Sequence, residues 1–224
     1  MNFIVGKKLN MSQHFLENGE VIPVTIVKAS PVVVTQIKTL AGKEKYEAVQ
    51  VGVKANVAGS RTHSKAVSGH LKGVKGVGKL VEFPVQDASS YSVGQTLDLS
   101  TFQVGELVTC VGVMKGRGFA GAIKRHGFAG FPASHGHDRP RSVGSIGQRF
   151  PQHVRKGLRM SGHMGTQQVT VKNLQVVSVD AAKGLIALKG AVPGFRNATV
   201  KIVSTGKVKP VGKPVEVKEE KKKK

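Results

Sequence analysis

"LVTCVGVMKGRGFAGAIKRHGFAGF", residues 107–131, decides between two folds. Its apolar run, Leu107 to Val113, reads as a strand and leads directly into G-x-G-x-x-G at Gly116, Gly118 and Gly121. In a doubly wound nucleotide fold, such glycines join a strand to a helix whose N-terminus receives a pyrophosphate. Asp138 even falls about 20 residues on, where an acidic residue would bind a ribose. The crossover helix, however, is absent from the pattern. After Gly121 only "AIKRH" intervenes before "GFAGFPASHG", whose glycines and proline break a helix. Asp138 lies between His137 and Arg139 in a polar loop, not at the end of an apolar strand. A nucleotide-dependent enzyme is the rejected alternative, and no helix is expected after Gly121.

Working outward, the flanking sequence is β-rich. "VIPVTIVKA" (21–29), "PVVVTQIKTL" (31–40) and "YEAVQVGV" (46–53) are dense in β-branched residues. Further strands are predicted at 80–85, 106–113, 167–180 and 185–192, with turns at Asn18-Gly19 and Asp180–Gly184. Short strands separated by turn residues, with little 3.6-residue apolar period, argue for a mainly β protein built as a barrel or sandwich. Residues 54–79 are basic, contain Gly and Ser, and lack apolar periodicity.

Charge supplies the second constraint. The 224 residues hold 35 Lys and Arg against 13 Asp and Glu, a formal net charge of +22. A small soluble domain typically carries about 2 to 8, so the surplus signals a polyanionic partner, nucleic acid before an anionic membrane. Residues 114–165 concentrate it: ten Lys or Arg, five of the eight histidines and eleven glycines accompany one acid, Asp138. Phe119, Phe128, Phe131, Ile146 and Phe150 recur among these cations. An arm of this composition cannot bury itself and needs a partner. Glycines let backbone approach phosphates, cations neutralise them, and aromatic rings stack on exposed bases.

Other chemistries fare worse. "GVKGVGK" places Gly73, Gly78 and Lys79 in a phosphate-loop spacing, but Leu80 stands where a Ser or Thr must hold magnesium. His135, His137 and Asp138, with His163 as a remote ligand, sketch a metal site that no cysteine supports; RNA contact is favoured. Cys110, the only cysteine, excludes a disulfide and sits in an apolar run where burial is expected. No signal-length or membrane-spanning apolar segment is present, so a soluble cytoplasmic protein is expected.

Several blocks are more specific: "KGRGFAGAIKRHGF" (115–128), "SHGHDRPRSVGSIGQ" (134–148), "RKGLRMSGHMGTQQVTVKNLQVVSVD" (155–180) and "LIALKGAVPG" (185–194). With "IVGKKLNMSQHF" (4–15) and "IPVTIV" (22–27), they resemble the bacterial family of large-subunit ribosomal proteins called L-three, up to about residue 205. The resemblance implies a translation-protein-type β-barrel interrupted by a long, largely irregular basic extension. It implies binding to 23S rRNA near its 3′ end, an early role in subunit assembly, and an arm reaching toward the peptidyl-transferase centre. Neighbouring large-subunit proteins are implied partners. No catalytic residue or cofactor is expected, magnesium entering only with the rRNA. In some members the glutamine of G-S-I-G-Q is N5-methylated, which makes Gln148 a candidate substrate of a glutamine methyltransferase. The sequence departs from the family pattern at "RFPQH" (149–153) and at His126-Gly127.

The combined expectation is a discontinuous barrel domain, 1–113 with 166–206, an rRNA-penetrating extension, 114–165, and a basic disordered tail, 207–224. Lys115, Arg117, Lys124, Arg125, Arg139, Arg141, Arg149, Arg155, Lys156 and Arg159 are the expected phosphate contacts. His126, Phe128, His135 and His137 are expected to stack on bases or touch sugars.

Overall fold

Glu106, Val108, Cys110 and Gly112 are buried while the residues between them are only partly covered. Val200, Ile202 and Ser204 repeat that alternation on the strand alongside, where Ile202 pairs with Cys110 and Val203 with Thr109. A period of two with one face in the core is what a pleated strand of β-branched residues produces. We describe a computed structural model of the chain, covering residues 2–42, 44–54, 64–72, 74 and 77–209.

Six strands close a barrel: β1 (Phe3–Phe15), β2 (Val21–Ala29), β7 (Glu106–Val113), β10 (Gln168–Asp180), β11 (Leu185–Lys189) and β12 (Thr199–Val208). Their order around it is β1-β12-β7-β10-β11-β2. A second, four-stranded sheet has the order β5-β4-β3-β6, from β3 (Val32–Lys38), β4 (Ala48–Lys54), β5 (Val77–Pro84) and β6 (Thr96–Leu97). Barrel residues such as Ile4, Val108, Ile186 and Leu188 share one core with Val34, Val49, Val51 and Phe83 of this sheet. Phe3 stacks on Phe83 with ring centroids 4.5 Å apart, tying the two together. The mainly β, barrel-containing class expected from the sequence is what the chain adopts.

Turn chemistry sets the register. Gly19 has φ 82, and the Glu20 amide donates to the Asn18 side chain, so Asn18-Gly19 links β1 to β2 as expected. Gly184, at φ 66, and the Lys183 amide bonded to Asp180 Oδ1 turn β10 into β11. Cys110 is buried, and burial pushes its thiol pKa up to about 12.

Apart from shifts of a few residues at strand ends, three features differ from expectation. A short helix, α1 (Lys65–His70), occupies the stretch read as non-periodic; Ser64 caps it, and none of its residues is buried, so it needs no apolar stripe. The strands β1 and β12 are not among the predicted ones, and their outer lengths are mostly exposed. Lys207 and Val208, the first residues of the expected tail, lie in β12; residues 210–224 fall outside the described ones.

On the four-stranded sheet, Tyr46 donates to Glu82 Oε1 at 2.6 Å, and Lys38 reaches Tyr46 Oη at 2.7 Å and Glu82 Oε2 at 3.0 Å. Burial alone would raise the Glu82 carboxyl; the Tyr46 and Lys38 hydrogen bonds, with the Lys38 and Lys201 charges, outweigh it and hold its pKa below the ordinary value. A depressed folded-state pKa stabilises the fold above the unfolded value, about 4.5, and that stability is lost as pH falls through the folded one. Thermal melts below about pH 4.5 should therefore show a shallower acid-side loss for Glu82→Gln than for the parent. In chemical denaturation, Ile202→Ala, at a fully buried core position, should cost about 2–5 kcal/mol, whereas exposed Met11→Ala should stay within about 0.5.

Candidate nucleic-acid interface

The chain divides into two compact units, Met1–Val113 with the part from Val169 onward, and Met114–Gln168. The second unit is an arm closed at its neck by a narrow ladder. Met114 N–H donates to Gln167 O at 3.0 Å, and Thr166 N–H returns to Met114 O at 3.2 Å. Arg117 N–H donates to Met164 O and Met164 N–H to Gly118 O, each at 2.9 Å. Two short strands continue it, β8 (Phe119–Ala120) and β9 (Gly162–His163), with Phe119 opposite His163. Beyond them, Arg125 Nη1 and His126 Nε2 both donate to Met160 O, at 2.9 and 3.0 Å.

Gly165 is the tightest point of this neck. It has φ 84, and a Cβ there would strike Lys115 O and the backbone of Gly116 and Arg117. Thr166 follows at φ 55, a left-handed conformation unusual for a β-branched residue. Its hydroxyl donates to Gly165 O and receives His163 Nε2–H, both at 2.8 Å, which helps hold the strained turn.

A helix does open directly after Gly121, contrary to the sequence reading. It is α2 (Ala122–His126), five residues long, and Gly127 stops it at φ 72. One turn is too short to serve as the crossover helix of a dinucleotide fold, so the rejection of that fold stands on helix length rather than helix absence. Gly78 and Lys79 of the near-miss phosphate loop lie inside β5, and Gly73 falls outside the described residues.

Farther out, turns and ring contacts replace a core. Phe131 N–H donates to Pro140 O at 2.8 Å, and the Phe131 ring stacks on His137 at 4.1 Å with planes 10° apart. His137 Nδ1 accepts from the Arg139 amide, so this ring is held on two sides. The Arg149 guanidinium lies 5.6 Å above the Phe150 ring. Of the large apolar side chains on the arm, Phe119 is 79% exposed and Phe150 64%.

Lys115, Arg117, Lys124, Arg139, Arg141, Arg149, Arg155, Lys156 and Arg159 are exposed, as are His135, His137 and Gln148. Arg125, His126 and Phe128 are half-buried. The Arg125 and His126 side chains, picked out for phosphate and base contact, are drawn inward onto Met160 and clamp the arm's two limbs. Sequence reasoning had no signal for that clamp, because its partners lie 34 and 35 residues apart. Among the described residues the ion pairs are Lys38–Glu82 and Lys183–Asp180, and neither involves an arm cation. His135, His137, Asp138 and His163 do not gather into a metal-binding group.

Comparison with known proteins bears on the same residues. The sequence profile described as "Ribosomal protein L3" matches residues 75–187, a span that includes the whole arm. The "Large ribosomal subunit protein uL3" of Herpetosiphon aurantiacus is 45% identical over 213 residues, covering 92% of this chain and 98% of that protein. The protein of the same name from Heliobacterium modesticaldum is 45% identical over 208 residues, with 92% and 98% covered. That from Oceanobacillus iheyensis is 44% identical over 206 residues, with 91% and 97% covered.

The chain belongs to the ribosomal protein L3 family. Membership agrees with the resemblance read from the arm and the strands that flank it. Among the described residues no helix is long and apolar enough to cross a membrane.

The neck can be tested directly. Gly165→Ala would strain a left-handed residue and push against Lys115 O. Amide hydrogen exchange should then lose protection at Arg117, Met164 and Thr166, while barrel amides such as Ile202 stay protected.

Proposed function

We propose that the chain is a structural, non-enzymatic constituent of the large ribosomal subunit, at work in the cytoplasmic ribosome, and that its arm binds 23S rRNA. The observation that carries this reading is the exposed set of arm cations. Nine Lys and Arg side chains face solvent on a unit with one acid, and no ion pair among the described residues satisfies them. Left unmatched, they repel one another; against a phosphate backbone they displace condensed counterions and gain affinity.

The shape of the arm fits folded RNA rather than a linear sequence. Its turns expose backbone at Gly118, Gly127 and Gly136, each at positive φ with open space where a side chain would be. Phosphate and sugar edges can approach such backbone closely. Phe119 and Phe150 project apolar rings beside the cations, suited to stacking on unpaired bases. Binding near the 3′ end of 23S rRNA, an arm tip near the peptidyl-transferase centre, an early part in assembly and contact with neighbouring subunit proteins complete the proposal. Gln148, exposed on the arm, is the proposed substrate of a glutamine methyltransferase.

Salt dependence tests the arm contacts. For filter binding to 23S rRNA, log Kobs against log salt should be steep for the parent, and Arg139→Gln with Arg141→Gln should reduce the slope by about 1.5–2. Lys183→Gln, at a lysine paired with Asp180 on the barrel, should leave it unchanged. An unaltered slope in the arginine double variant would count against the arm as the binding surface. Co-migration with the large subunit in a stringent-salt sucrose gradient tests the assignment to the particle.

A further inference from the structure

Residues 145–158 of the arm fold around an open cleft of about 380 Å³. Ser145 Oγ donates to Gly147 O at 2.9 Å, His153 N–H to Pro151 O at 2.8 Å and Leu158 N–H to Arg155 O at 3.3 Å. These tight turns bring Ile146, Pro151 and Leu158 to the same cleft as Gln148, His153 and Arg155. Ile146 is 45% exposed and Leu158 41%, so two large aliphatic side chains stand open to solvent beside an amide and a guanidinium.

That combination is selective. An aliphatic slot favours a flat apolar face, a primary amide offers one donor and one acceptor side by side, and a guanidinium binds a phosphate oxygen pair. The volume lies at the small end for ligand sites. We propose that the cleft receives one unpaired nucleotide of an RNA strand. Its base lies against Ile146, Pro151 and Leu158, Gln148 reads the base edge, and Arg155 holds the phosphate.

A strand is favoured over a free nucleotide by the distribution of charge. Within the cleft Arg155 is the only permanent cation, too little for a di- or triphosphate. Exposed Arg149, Lys156 and Arg159 lie just before and after it along the chain, placed for the phosphates that precede and follow a flipped-out residue. The inference rests on the RNA-binding reading above and adds to it a base-holding site.

The test uses the full chain with 23S rRNA, binding isotherms, and chemical probing of Watson–Crick edges. Ile146→Trp fills the cleft from an exposed position without touching the barrel core. The parent should protect a discrete unpaired base. Ile146→Trp should lose that protection and bind roughly 10-fold more weakly at an unchanged salt slope, because base stacking is removed while the phosphates stay bound. Arg155→Gln should lower the slope by about one. If the parent binds with a steep slope and Ile146→Trp binds equally well with the same protections, the cleft is empty and the proposal fails while the RNA-binding reading stands. If the parent does not bind 23S rRNA, both fail. Saturable binding of adenosine monophosphate to the free protein, lost in Ile146→Trp, would overturn the proposal in favour of a free nucleotide.

Discussion

The rest of the arm depends on the hydrogen bond from Met114 N–H to Gln167 O, at 3.0 Å. It closes a loop of about fifty residues, an event whose entropy cost is on the order of 3–4 kcal/mol plus a constant. The neighbouring neck bonds and the Arg125–Met160 and His126–Met160 pair each contribute about 1 kcal/mol and together offset that closure. Geometry narrows the neck further. Only glycine fits at Gly165, and Thr166 is held in a left-handed conformation by His163 and its own peptide neighbour. The two limbs of the arm are therefore joined at its base by a short hydrogen-bonded ribbon.

Past the ribbon the physics changes. In the barrel unit, side chains such as Val27, Leu188 and Ile202 are fully buried and the hydrophobic effect holds the fold. Among the described arm residues, Ala120 and Ala122 are the buried apolar side chains, far too little surface to order a segment of this length. Local devices take over: a one-turn helix stopped by Gly127, a ring pair at Phe131–His137, and turns at Pro151 and Arg155. Such devices fix local shape but leave cations and aromatic rings outward. Under the proposed RNA binding, those outward groups would meet phosphates and bases, and such contacts would supply further stabilisation.

The barrel was legible in the sequence where strands bury one face. The segments at 21–29 and 106–113 coincide with β2 and β7, because Val, Ile and Thr alternate there against a core. Legibility failed where burial stops. The outer part of β1, from Lys7 to Phe15, is mostly exposed, and none of the residues of α1 is buried. On the arm, exposure of the cations followed from composition, since a single acid cannot pair ten basic residues. The clamp on Met160 and the cleft beside Gln148 did not follow. Both are made by residues brought together through turns, and a backbone carbonyl such as Met160 O has no signature in the sequence.

That distinction changes how a basic arm should be counted. Ten cations in a stretch suggest ten phosphate contacts, but a cation can serve the protein's own backbone instead. The Arg125 guanidinium is half-buried and donates through Nη1 to Met160, so it ties the two limbs of the arm together. His126 shares that acceptor, which fixes its Nε2 as a donor and takes that edge of the ring away from any base. Under the proposed RNA binding, replacing His126 would weaken binding by loosening the arm's shape while the arm's cations stay in place. Removing Arg139 or Arg141 would do the reverse. A fall in affinity alone cannot separate the two roles; the salt slope can, because it changes only when fewer phosphates are neutralised and fewer counterions are released.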